Sequence, residues 1–349
     1  MPANLSPEYR QAEQAFRSAH HPRERLECLK EMLRTIPKHK GTEHIQADIK
    51  SRVRELTREL SLPHKGPARV GTGHAISHQG VAQICLVGPP NSGKSSLHSL
   101  LTGSKAEIAP FPYATRQPLP GLLSFEDIAF QLIDLPPVSA ERLEPELAGF
   151  LQATDAVWLV LDLADPDSSE QLLALCAQLR QRGITLSERW PGGENPIQPD
   201  VGPVETMEKE PAPDPFAVEL PTLLVANKSD LDPDPDEINV LEELTGVRFP
   251  AVGTSVVTGV GIGLLAPFLF NALCIVRVYT KAPGKPAEKA RPFTVRRGAT
   301  ILDVARLVHQ DLASTLKFAR IWGSGTFEGQ QVGPEHPVAD GDIVELHAR

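Results

Sequence analysis

A glycine-rich segment followed by lysine and serine is the first feature of the chain that could do chemistry. Gly88-Pro-Pro-Asn-Ser-Gly93-Lys94-Ser95 fits the pattern GxxxxGK[ST] and lies between an apolar run, VAQICLV, and a helix-like segment, SSLHSLL. Backbone N–H groups of such a loop point inward toward phosphates, and the start of the next helix adds positive potential. Lys94 would reach the terminal phosphates, and Ser95 would bind Mg²⁺. The predicted phosphate-binding residues are Gly88, Asn91, Ser92, Gly93, Lys94, Ser95 and Ser96.

A second motif indicates which base accompanies those phosphates. Asn227-Lys228-Ser229-Asp230 follows the apolar run TLLVA and resembles the NKxD element of GTPases. Asp230 would accept two hydrogen bonds from the guanine N1–H and 2-amino groups, which adenine cannot supply, while Asn227 and Lys228 would brace the base-binding loops. Thr254-Ser255-Val256 follows FPAVG and is similar to a loop whose backbone contacts the guanine oxygen. The predicted guanine-binding residues are Asn227, Lys228, Asp230, Ser255 and Val256.

Two further oxygen-bearing residues complete the predicted magnesium site. Asp134 closes the run IAFQLID and would hold Mg²⁺ through water. Thr115, within FPYATRQPLPG, would ligate the ion directly, as Ser95 would. The predicted catalytic residues are therefore Lys94, Thr115 and Asp134.

The segment after Asp134 departs from the usual DxxG pattern of GTPases. It reads Asp134-Leu-Pro-Pro137, and proline has no N–H to donate to a γ-phosphate. Val138 stands where many small GTPases have a water-positioning glutamine, and valine cannot orient a nucleophile. We therefore expect slow hydrolysis. Asn91 suggests a compensating K⁺, because the order G-x-P-N-x-G-K-S resembles that of potassium-activated GTPases; an asparagine that caps a turn is the equal alternative.

The motifs lie in a chain whose middle part alternates strands and helices. Between residues 67 and 275 this alternation predicts an α/β fold, a doubly wound sheet of the P-loop GTPase type. Residues 187–219 interrupt it with seven prolines and eight acidic residues, which predicts a flexible insertion loop. The strand-like runs are VAQICLV, LLSF, IAFQLID, AVWLVLDL, TLLVA and FPAVGT.

Different patterns flank this middle domain. Residues 1–66 predict a helical hairpin, with one apolar stripe from Leu26 to Ile36, a turn at PKHKG, and a second stripe from Ile45 to Leu60 beside several arginines. Packing against the neighbouring domain and contact with nucleic acid both fit this hairpin. Residues 276–349 show short strands around one helix, ATILDVARLVHQDL, which predicts a small β-grasp domain.

Length and composition exclude several classes of protein. A chain of 349 residues with 41% hydrophobic residues can bury two or three cores, so it is neither a disulfide miniprotein nor a disordered chain. The four cysteines are scattered, which argues against a disulfide framework or a zinc site. The N-terminus shows no signal sequence, so we expect a cytoplasmic protein. The apolar run GVGIGLLAPFLFNALCIV contains glycines and a proline, and a strand, a loop and a buried helix explain it better than a membrane span.

Charge is distributed unevenly along the chain. Residues 1–66 carry 13 Lys and Arg against 9 Asp and Glu, and residues 276–349 carry 11 against 8, so the total of -9 leaves -16 for the middle. Basic ends suit a polyanion such as RNA, although an excess this small also occurs on ordinary solvated surfaces. Arg296, Arg297 and Lys317 are the C-terminal cations that we expect to contribute to such docking.

With these motifs in place, the sequence resembles the Obg-related GTPase superfamily, and within it the developmentally regulated GTP-binding (DRG) proteins. FPYATRQPLPG resembles the family's switch segment, KHKGTEHIQADIKSRVREL its N-terminal helical segment, and RVYTKAPGKP, ARIWG and VADGDIVELH its C-terminal TGS domain. The resemblance implies a translation-linked GTPase that associates with ribosomes or RNA through the TGS domain and N-terminal hairpin. It is also compatible with a protein that activates hydrolysis. The family's small inserted subdomain is replaced here by residues 187–219.

Two interpretations of the function follow from the sequence. In the first, the nucleotide state of a slow GTPase controls docking to a ribosomal or RNA partner. In the second, Pro137 and Val138 mark lost hydrolysis, and the chain is a nucleotide-binding adaptor or assembly module.

Overall fold

The computed structural model describes residues 7–18, 22–37, 46, 49–50, 53–54, 57, 76–104, 117–137, 145–192, 218–231, 237–285, 287–324 and 327–348. Thr115, Val138 and most of the predicted insertion loop lie outside the described residues. The chain divides into two compact units, of which one comprises Met1–Ala75 with Glu205–Ala217 and the other Ile76–Val204 with Val218–Arg349.

The first unit is helical in its described part. Helices α1 (Pro7–Ser18) and α2 (Pro22–Thr35) pack against each other, and Gln46, Ile49, Lys50, Val53, Arg54 and Thr57 are also helical. Helix α2 contains the first predicted apolar stripe, whereas α1 was not predicted from the sequence. Apolar side chains of these segments share one core, formed by Tyr9, Ala12, Phe16, Leu29, Met32, Ile36 and Ile49.

The second unit begins with a seven-stranded sheet that runs in the order β2-β3-β1-β4-β6-β5, with β7 pairing with β6. Every pair is parallel except β2–β3, which is an antiparallel hairpin. The predicted P-loop GTPase sheet is thereby confirmed. Its strands are β1 (Gln83–Val87), β2 (Leu119–Phe125), β3 (Ile128–Asp134), β4 (Ala156–Asp162), β5 (Ile184–Ser187), β6 (Val218–Asn227) and β7 (Ala251–Gly253).

Helices cover both faces of this sheet, which explains why its central strands are continuously apolar. Alternate residues of β1 point into two separate cores: Ile84 and Leu86 into one, Cys85 and Val87 into the other. The helices are α3 (Lys94–Thr102), α4 (Pro145–Ala153), α5 (Ser168–Gln181), α6 (Glu237–Thr245) and α7 (Ile262–Ala272). Because both faces are buried, the polar groups of the domain concentrate at the strand ends.

The segment predicted as an insertion loop has ordered ends. Ser187 closes β5, and Val218 begins β6, which pairs with it. Trp190 is buried, packs edge-on against Phe268 of α7 and donates its Nε1–H to the Thr222 carbonyl at 3.3 Å. The segment stays bonded to the central domain as far as Gly192, whose N–H donates to the Ala272 carbonyl at 3.1 Å, and residues 193–217 lie outside the described residues.

The C-terminal part forms a five-stranded mixed sheet in the order β11-β10-β12-β8-β9. Strands β8 and β12 are parallel, and the remaining pairs are antiparallel. Helix α8 starts with a capping box between Thr300 and Asp303 and packs Ile301 and Val304 onto one face of the sheet. The elements are β8 (Ile275–Thr280), β9 (Glu288–Arg296), α8 (Ile301–Val308), α9 (Gln310–Thr315), β10 (Leu316–Trp322), β11 (Gln330–Val332) and β12 (Asp342–Ala348).

Three side chains of the C-terminal sheet bind the central domain. Arg277 forms ion pairs with Glu126 and with Asp127, at the turn between β2 and β3, and its guanidinium lies 4.9 Å from the centre of the Phe270 ring. Tyr279 donates its hydroxyl hydrogen to Asp127. Arg296 pairs with Asp155 at 3.2 Å and donates to the Leu273 carbonyl. Arg296 is thus engaged between domains, which weakens its predicted role in docking a partner.

The long apolar run near residue 260 forms part of the central core. Helix α7 contains 11 residues, five of them buried, and the chain continues directly into β8. Across the described residues, no helix combines the length and the hydropathy needed to cross a membrane. All four cysteines are free.

Candidate nucleotide-binding site

The predicted phosphate loop connects the end of β1 to the start of α3, with Gly88 directly after Val87 and Gly93 directly before Lys94. Both glycines are places where another part of the backbone or a side chain comes close. A Cβ on Gly88 would overlap the Val160 carbonyl oxygen of β4, and a Cβ on Gly93 would overlap the Asn227 side-chain nitrogen. Gly93 also has a φ of 89°, which other residues rarely adopt. The loop geometry therefore depends on the glycines that its motif predicts.

Lys94 lies inside the loop and not at the protein surface. Only 5% of the residue is exposed, and Nζ donates to the carbonyl oxygens of Gly88 at 2.9 Å and Pro89 at 2.7 Å. Burial lowers the pKa of Lys94 to about 8, although the nearby Asp134 carboxylate favours the charged form. The loop thus holds a cationic group beside the backbone N–H groups at the start of α3, an arrangement suited to phosphate.

Ser95 and Asp134 meet at the same end of the sheet. The Ser95 hydroxyl donates to Asp134 Oδ2 at 2.6 Å, and Asp134 is fully buried where β3 pairs with Leu86 of β1 and Leu119 of β2. A hydroxyl and a carboxylate are the hard oxygen donors that Mg²⁺ prefers, so this pair fits the predicted metal site. Thr115, the third predicted ligand, lies outside the described residues.

Asn227 joins the phosphate loop to the predicted base-binding loops. Its Nδ2 donates to the Ser92 carbonyl at 2.9 Å, and its Oδ1 accepts from the Thr254 hydroxyl at 3.4 Å. The residue is buried at the end of β6, next to the equally buried Ser92. Residues separated by 135 positions in the chain are thereby held together.

Lys228 and Asp230 follow on the same turn. Lys228 has a positive φ of 62° and forms an ion pair of 2.6 Å with Asp162, the last residue of β4. Asp230 is exposed two residues further on. Its carboxylate is therefore accessible at the strand ends, where a base could approach it.

Ser255 and Val256 form the second predicted base-binding loop, directly after β7. The Ser255 hydroxyl oxygen accepts from the N–H groups of Val257 and Thr258, which fixes the turn. This loop is joined to the NKSD turn because Ser229 N donates to the Thr254 carbonyl at 3.0 Å. Val256 packs against the central core. The two predicted guanine-binding segments are therefore neighbours in space.

Some residues of the site were not predicted, and others have no structural counterpart for their predicted role. Asp162, which holds Lys228, was not predicted, and its position at the end of β4 was the only signal in the sequence. Thr254, which holds Asn227, was named in the Thr254-Ser255-Val256 motif but was given no role of its own. Asn91 is exposed with a φ of 62°, a conformation that asparagine tolerates, so its backbone fits the turn-capping alternative as well as K⁺ binding. Ser96 lies half-buried in the first turn of α3.

Comparison with known proteins agrees with this architecture. Residues 83–187 match a family model described as 50S ribosome-binding GTPase, and residues 276–348 match the TGS domain model. An uncharacterized GTP-binding protein of Methanocaldococcus jannaschii is 27% identical, with 93% of this chain and 92% of the relative aligned. Human developmentally-regulated GTP-binding protein 2 is 26% identical, with 92% and 97% aligned. A crystal structure of a GTP binding protein from Pyrococcus horikoshii is 17% identical with a TM-score of 0.47, covering 76% of this chain and 100% of that one.

The order of the domains and the strand-end loops define the class of protein, a P-loop GTPase with a C-terminal TGS domain. The chain is similar over 92% of its length to developmentally-regulated GTP-binding protein 2 of mouse and human, at 27% and 26% identity, and both domain models match in the order that the resemblance to the DRG family implies. The resemblance predicted from the motifs is confirmed.

Proposed function

We propose that this chain binds GTP and GDP and hydrolyses GTP slowly with Mg²⁺. The observation that carries the proposal is the contact of Asn227 with both Ser92 and Thr254, since it joins the predicted phosphate loop to the predicted base-binding loop. Asp230 would select guanine, and Lys94 with the backbone N–H groups from Gly93 to Ser96 would bind the phosphates. This assignment of site residues supports a GTPase better than an ATPase.

The proposed catalysis depends mainly on positioning and charge. Ser95 and Thr115 would hold Mg²⁺ directly and Asp134 would hold it through water, and the ion would supply positive charge against the negative charge that develops on the phosphates. Lys94 would neutralise the same charge from the loop. Pro137 has no N–H, and Val138 cannot orient water, so the chain supplies few groups for the attacking nucleophile. We expect slow turnover, which a protein activator would accelerate.

Single-turnover hydrolysis of GTP and ATP, measured beside calorimetric affinities, tests this proposal. We expect Mg²⁺-dependent GTP cleavage, and Lys94→Ala and Ser95→Ala should each impair triphosphate binding or cleavage because they remove a phosphate charge and a metal ligand. Equal affinity for ATP and GTP, or unchanged Mg²⁺-dependent GTP binding in both variants, would reject the assignment.

Potassium is a second proposed cofactor. If Asn91 helps to hold K⁺ near the phosphates, the ion would offset charge in the transition state much as an arginine finger does. Hydrolysis should then be faster in K⁺ than in Na⁺ at matched ionic strength, and Asn91→Ala should remove the difference. Identical rates in the two salts would leave Asn91 as a turn residue.

We also propose that the chain works in the cytoplasm and associates with ribosomes or RNA through the TGS domain and the N-terminal hairpin. The basic ends and the acidic middle support this proposal, because phosphate-rich partners favour the former and are repelled by the latter. Truncation after Val276 should leave guanine binding intact and weaken co-sedimentation with ribosomes. Arg297 and Lys317 are suitable for charge reversal because both are exposed, whereas reversal of Arg296 would break its ion pair with Asp155.

A hydrolysis-deficient adaptor is the alternative function, and Pro137 is the observation that favours it. Between Asp134 and Val138 the only backbone N–H belongs to Leu135, and it already donates to the Leu86 carbonyl at 3.3 Å. An adaptor should bind GTP with normal affinity and show no cleavage above the uncatalysed rate. Single-turnover measurement with and without ribosomes separates the two functions.

A further inference from the structure

One face of the C-terminal sheet is not covered by its own helices. Along β10, Ala319 and Ile321 are fully buried in the core beneath α8, so the alternating residues Phe318, Arg320 and Trp322 lie on the opposite face. On the neighbouring strand β12, His347 is the cross-strand partner of Phe318. We call Phe318, Arg320, Trp322 and His347 the aromatic face.

The side-chain rings of Phe318 and His347 are stacked on each other. The rings of Phe318 and His347 have centroids 4.5 Å apart and an interplanar angle of 14°. The His347 side chain is 25% exposed, and Phe318 is also half-buried, so the edge of the stack reaches solvent. A planar group could extend this stack, since flat aromatic surfaces add to one another with little loss of conformational entropy.

The charges of the aromatic face favour an anionic partner. Its neighbouring acid, Glu345, is 4% exposed and is held by His347 at 2.7 Å and by Lys281 at 3.3 Å, and these hydrogen bonds outweigh burial and lower the pKa of Glu345. Lys281 also lies 3.9 Å from the centre of the Trp322 ring. Arg320, opposite Glu345 on the next strand, is exposed and takes part in none of the ion pairs found in the described part of the chain.

The contacts with the central domain lie on the same face of this sheet but at its β8 and β9 end, because Val276 and Val278 of β8 point into the core beneath α8. Arg277 and Tyr279 belong to β8, Arg296 belongs to β9, and these residues make the interdomain hydrogen bonds described above. Strand β10, which supplies most of the aromatic face, is separated from β8 by β12. With the interdomain contacts in place, Arg320 is exposed and Phe318 and His347 are half-buried, so a partner can reach them beside the central domain.

We propose that the aromatic face binds single-stranded RNA, with an unpaired base stacking on the Phe318–His347 pair and an adjacent phosphate pairing with Arg320. This inference rests on the proposed association with ribosomes or RNA and names its surface. Aromatic rings beside Arg320, which makes no ion pair within the described residues, can contact both the bases and the phosphates of a single strand. An acidic peptide would contact the arginine alone. A duplex keeps its bases stacked inside, so it offers nothing to the ring pair.

The test compares the full-length protein and three variants in binding a fluorescent 12-nucleotide single strand and the duplex of the same sequence. Single strands should bind at least about tenfold more tightly than duplex. Arg320→Glu and Phe318→Leu should each weaken single-strand binding about tenfold, since each removes one of the two kinds of contact. Arg306→Glu is the matched control, because Arg306 lies on α8 on the covered side, and its binding should stay within about twofold.

Intrinsic fluorescence supplies a second readout, which starts from the wild-type protein. Trp158 and Trp190 are buried in the central domain, whereas Trp322 is half-buried on the aromatic face. Single-stranded RNA should quench the wild-type signal, and Trp322→Phe should remove the quenching. Unchanged GTP affinity and melting temperature in every variant would show that the fold is retained.

Several results would overturn the proposal while leaving the proposed function in place. These are equal affinity for single strands and duplex, no quenching of Trp322, or an equal loss of binding in Arg306→Glu. If the wild type sediments with ribosomes and the Arg320 and Phe318 variants bind single strands as well as it does, another surface makes the contact. Failure of the wild type to bind guanine nucleotides or ribosomes would instead count against the proposed function.

Discussion

At the scale of single residues, the candidate site depends on close approach between side chains far apart in sequence. Asn227 reaches the phosphate loop only because Gly93 has no side chain, and its amide then bonds to both Ser92 and Thr254. An amide that donates on one side and accepts on the other holds two loops in a fixed relation. The predicted base-binding loop is therefore linked to the geometry of the predicted phosphate loop.

Substitution of Gly93 tests this link. A Cβ at position 93 would displace Asn227, so Gly93→Ala should lower GTP affinity by more than about a hundredfold. Gly103→Ala is the matched control, because Gly103 follows the same helix with a φ of 67° and no atom within 4 Å of the added Cβ. The control should cost only about 1 kcal/mol of unfolding free energy and leave the affinity unchanged. Calorimetry and thermal unfolding distinguish the two effects, and equal affinities in both variants would refute the link.

Asp230 should decide the identity of the base. Its exposed carboxylate offers two acceptors that match guanine and would stay unpaired against adenine. Asp230→Asn should weaken GTP binding about a thousandfold and favour xanthine nucleotides, whose 2-oxo group accepts from the new amide. Competition between GTP and XTP in a fluorescence titration measures the exchange. An unchanged preference for GTP would reject the role of Asp230.

At the scale of secondary-structure elements, the polar groups collect where parallel strands end. Strands β1, β3, β4 and β6 are hydrogen-bonded neighbours, and their C-terminal ends carry Gly88, Asp134, Asp162 and Asn227. Burial of both sheet faces leaves this edge as the place where loops can bring polar side chains together. The ion pair between Asp162 and Lys228 connects two of these ends directly.

Removal of that ion pair should disturb the base-binding turn. Lys228 has a positive φ, and its ion pair with Asp162 holds the side chain in place. Asp162→Asn should therefore weaken GTP binding about tenfold without changing the preference for guanine. Asp167→Asn is the matched control, since Asp167 is exposed at the start of α5 and its side chain caps no backbone group there. Equal GTP affinities of the two variants would show that the ion pair does not position the turn.

At the scale of the whole molecule, the TGS domain is attached to the hairpin of β2 and β3. Arg277 contacts Glu126 and Asp127 from the hairpin and also Asp340 of its own domain at 2.7 Å, with Tyr279 bonding to Asp127 as well. Burial would raise the pKa of Asp127 and of Asp340, but hydrogen bonds from Arg277, and for Asp127 also from Tyr279, lower both below their ordinary value. The ionised form of both carboxylates is therefore favoured in the folded protein.

This network predicts an acid-sensitive interdomain contact. Because the folded pKa values of Asp127 and Asp340 lie below the ordinary value of 3.8, their stabilisation is complete above about pH 4 and is lost as the pH falls through the folded values. Asp127→Ala should lower the melting temperature at pH 7 by several degrees and flatten its fall below pH 4. Asp311→Ala, at a side chain that is 91% exposed, is the control and should leave both unchanged. Parallel pH profiles for wild type and Asp127→Ala would contradict this.

Local patterns predicted the elements with strong periodicity and missed the short or weakly apolar ones. The P-loop strand and helix, the central strands and the TGS helix were predicted because a buried strand or an amphipathic helix is visible in a few residues. Strands β5 and β11 were missed because they contain only four and three residues. Helix α1 was missed because most of its residues, PEYRQAEQAFRS, are polar. Trp190 was assigned to a loop because it lies among prolines and acidic residues, a composition that is typical of exposed loops.

The sequence by itself determined the class of fold, the resemblance to the DRG family and the candidate residues of the nucleotide site, because each depends on residue types at short spacings. Only the tertiary structure decided that Asn227 bonds to Ser92, that Asp162 holds Lys228, that Arg277 and Arg296 are engaged between domains, and that Arg320 stays exposed beside stacked rings. These contacts join residues 29 to 150 positions apart. Their partners follow from strand order and side-chain packing, which no local pattern of residues contains.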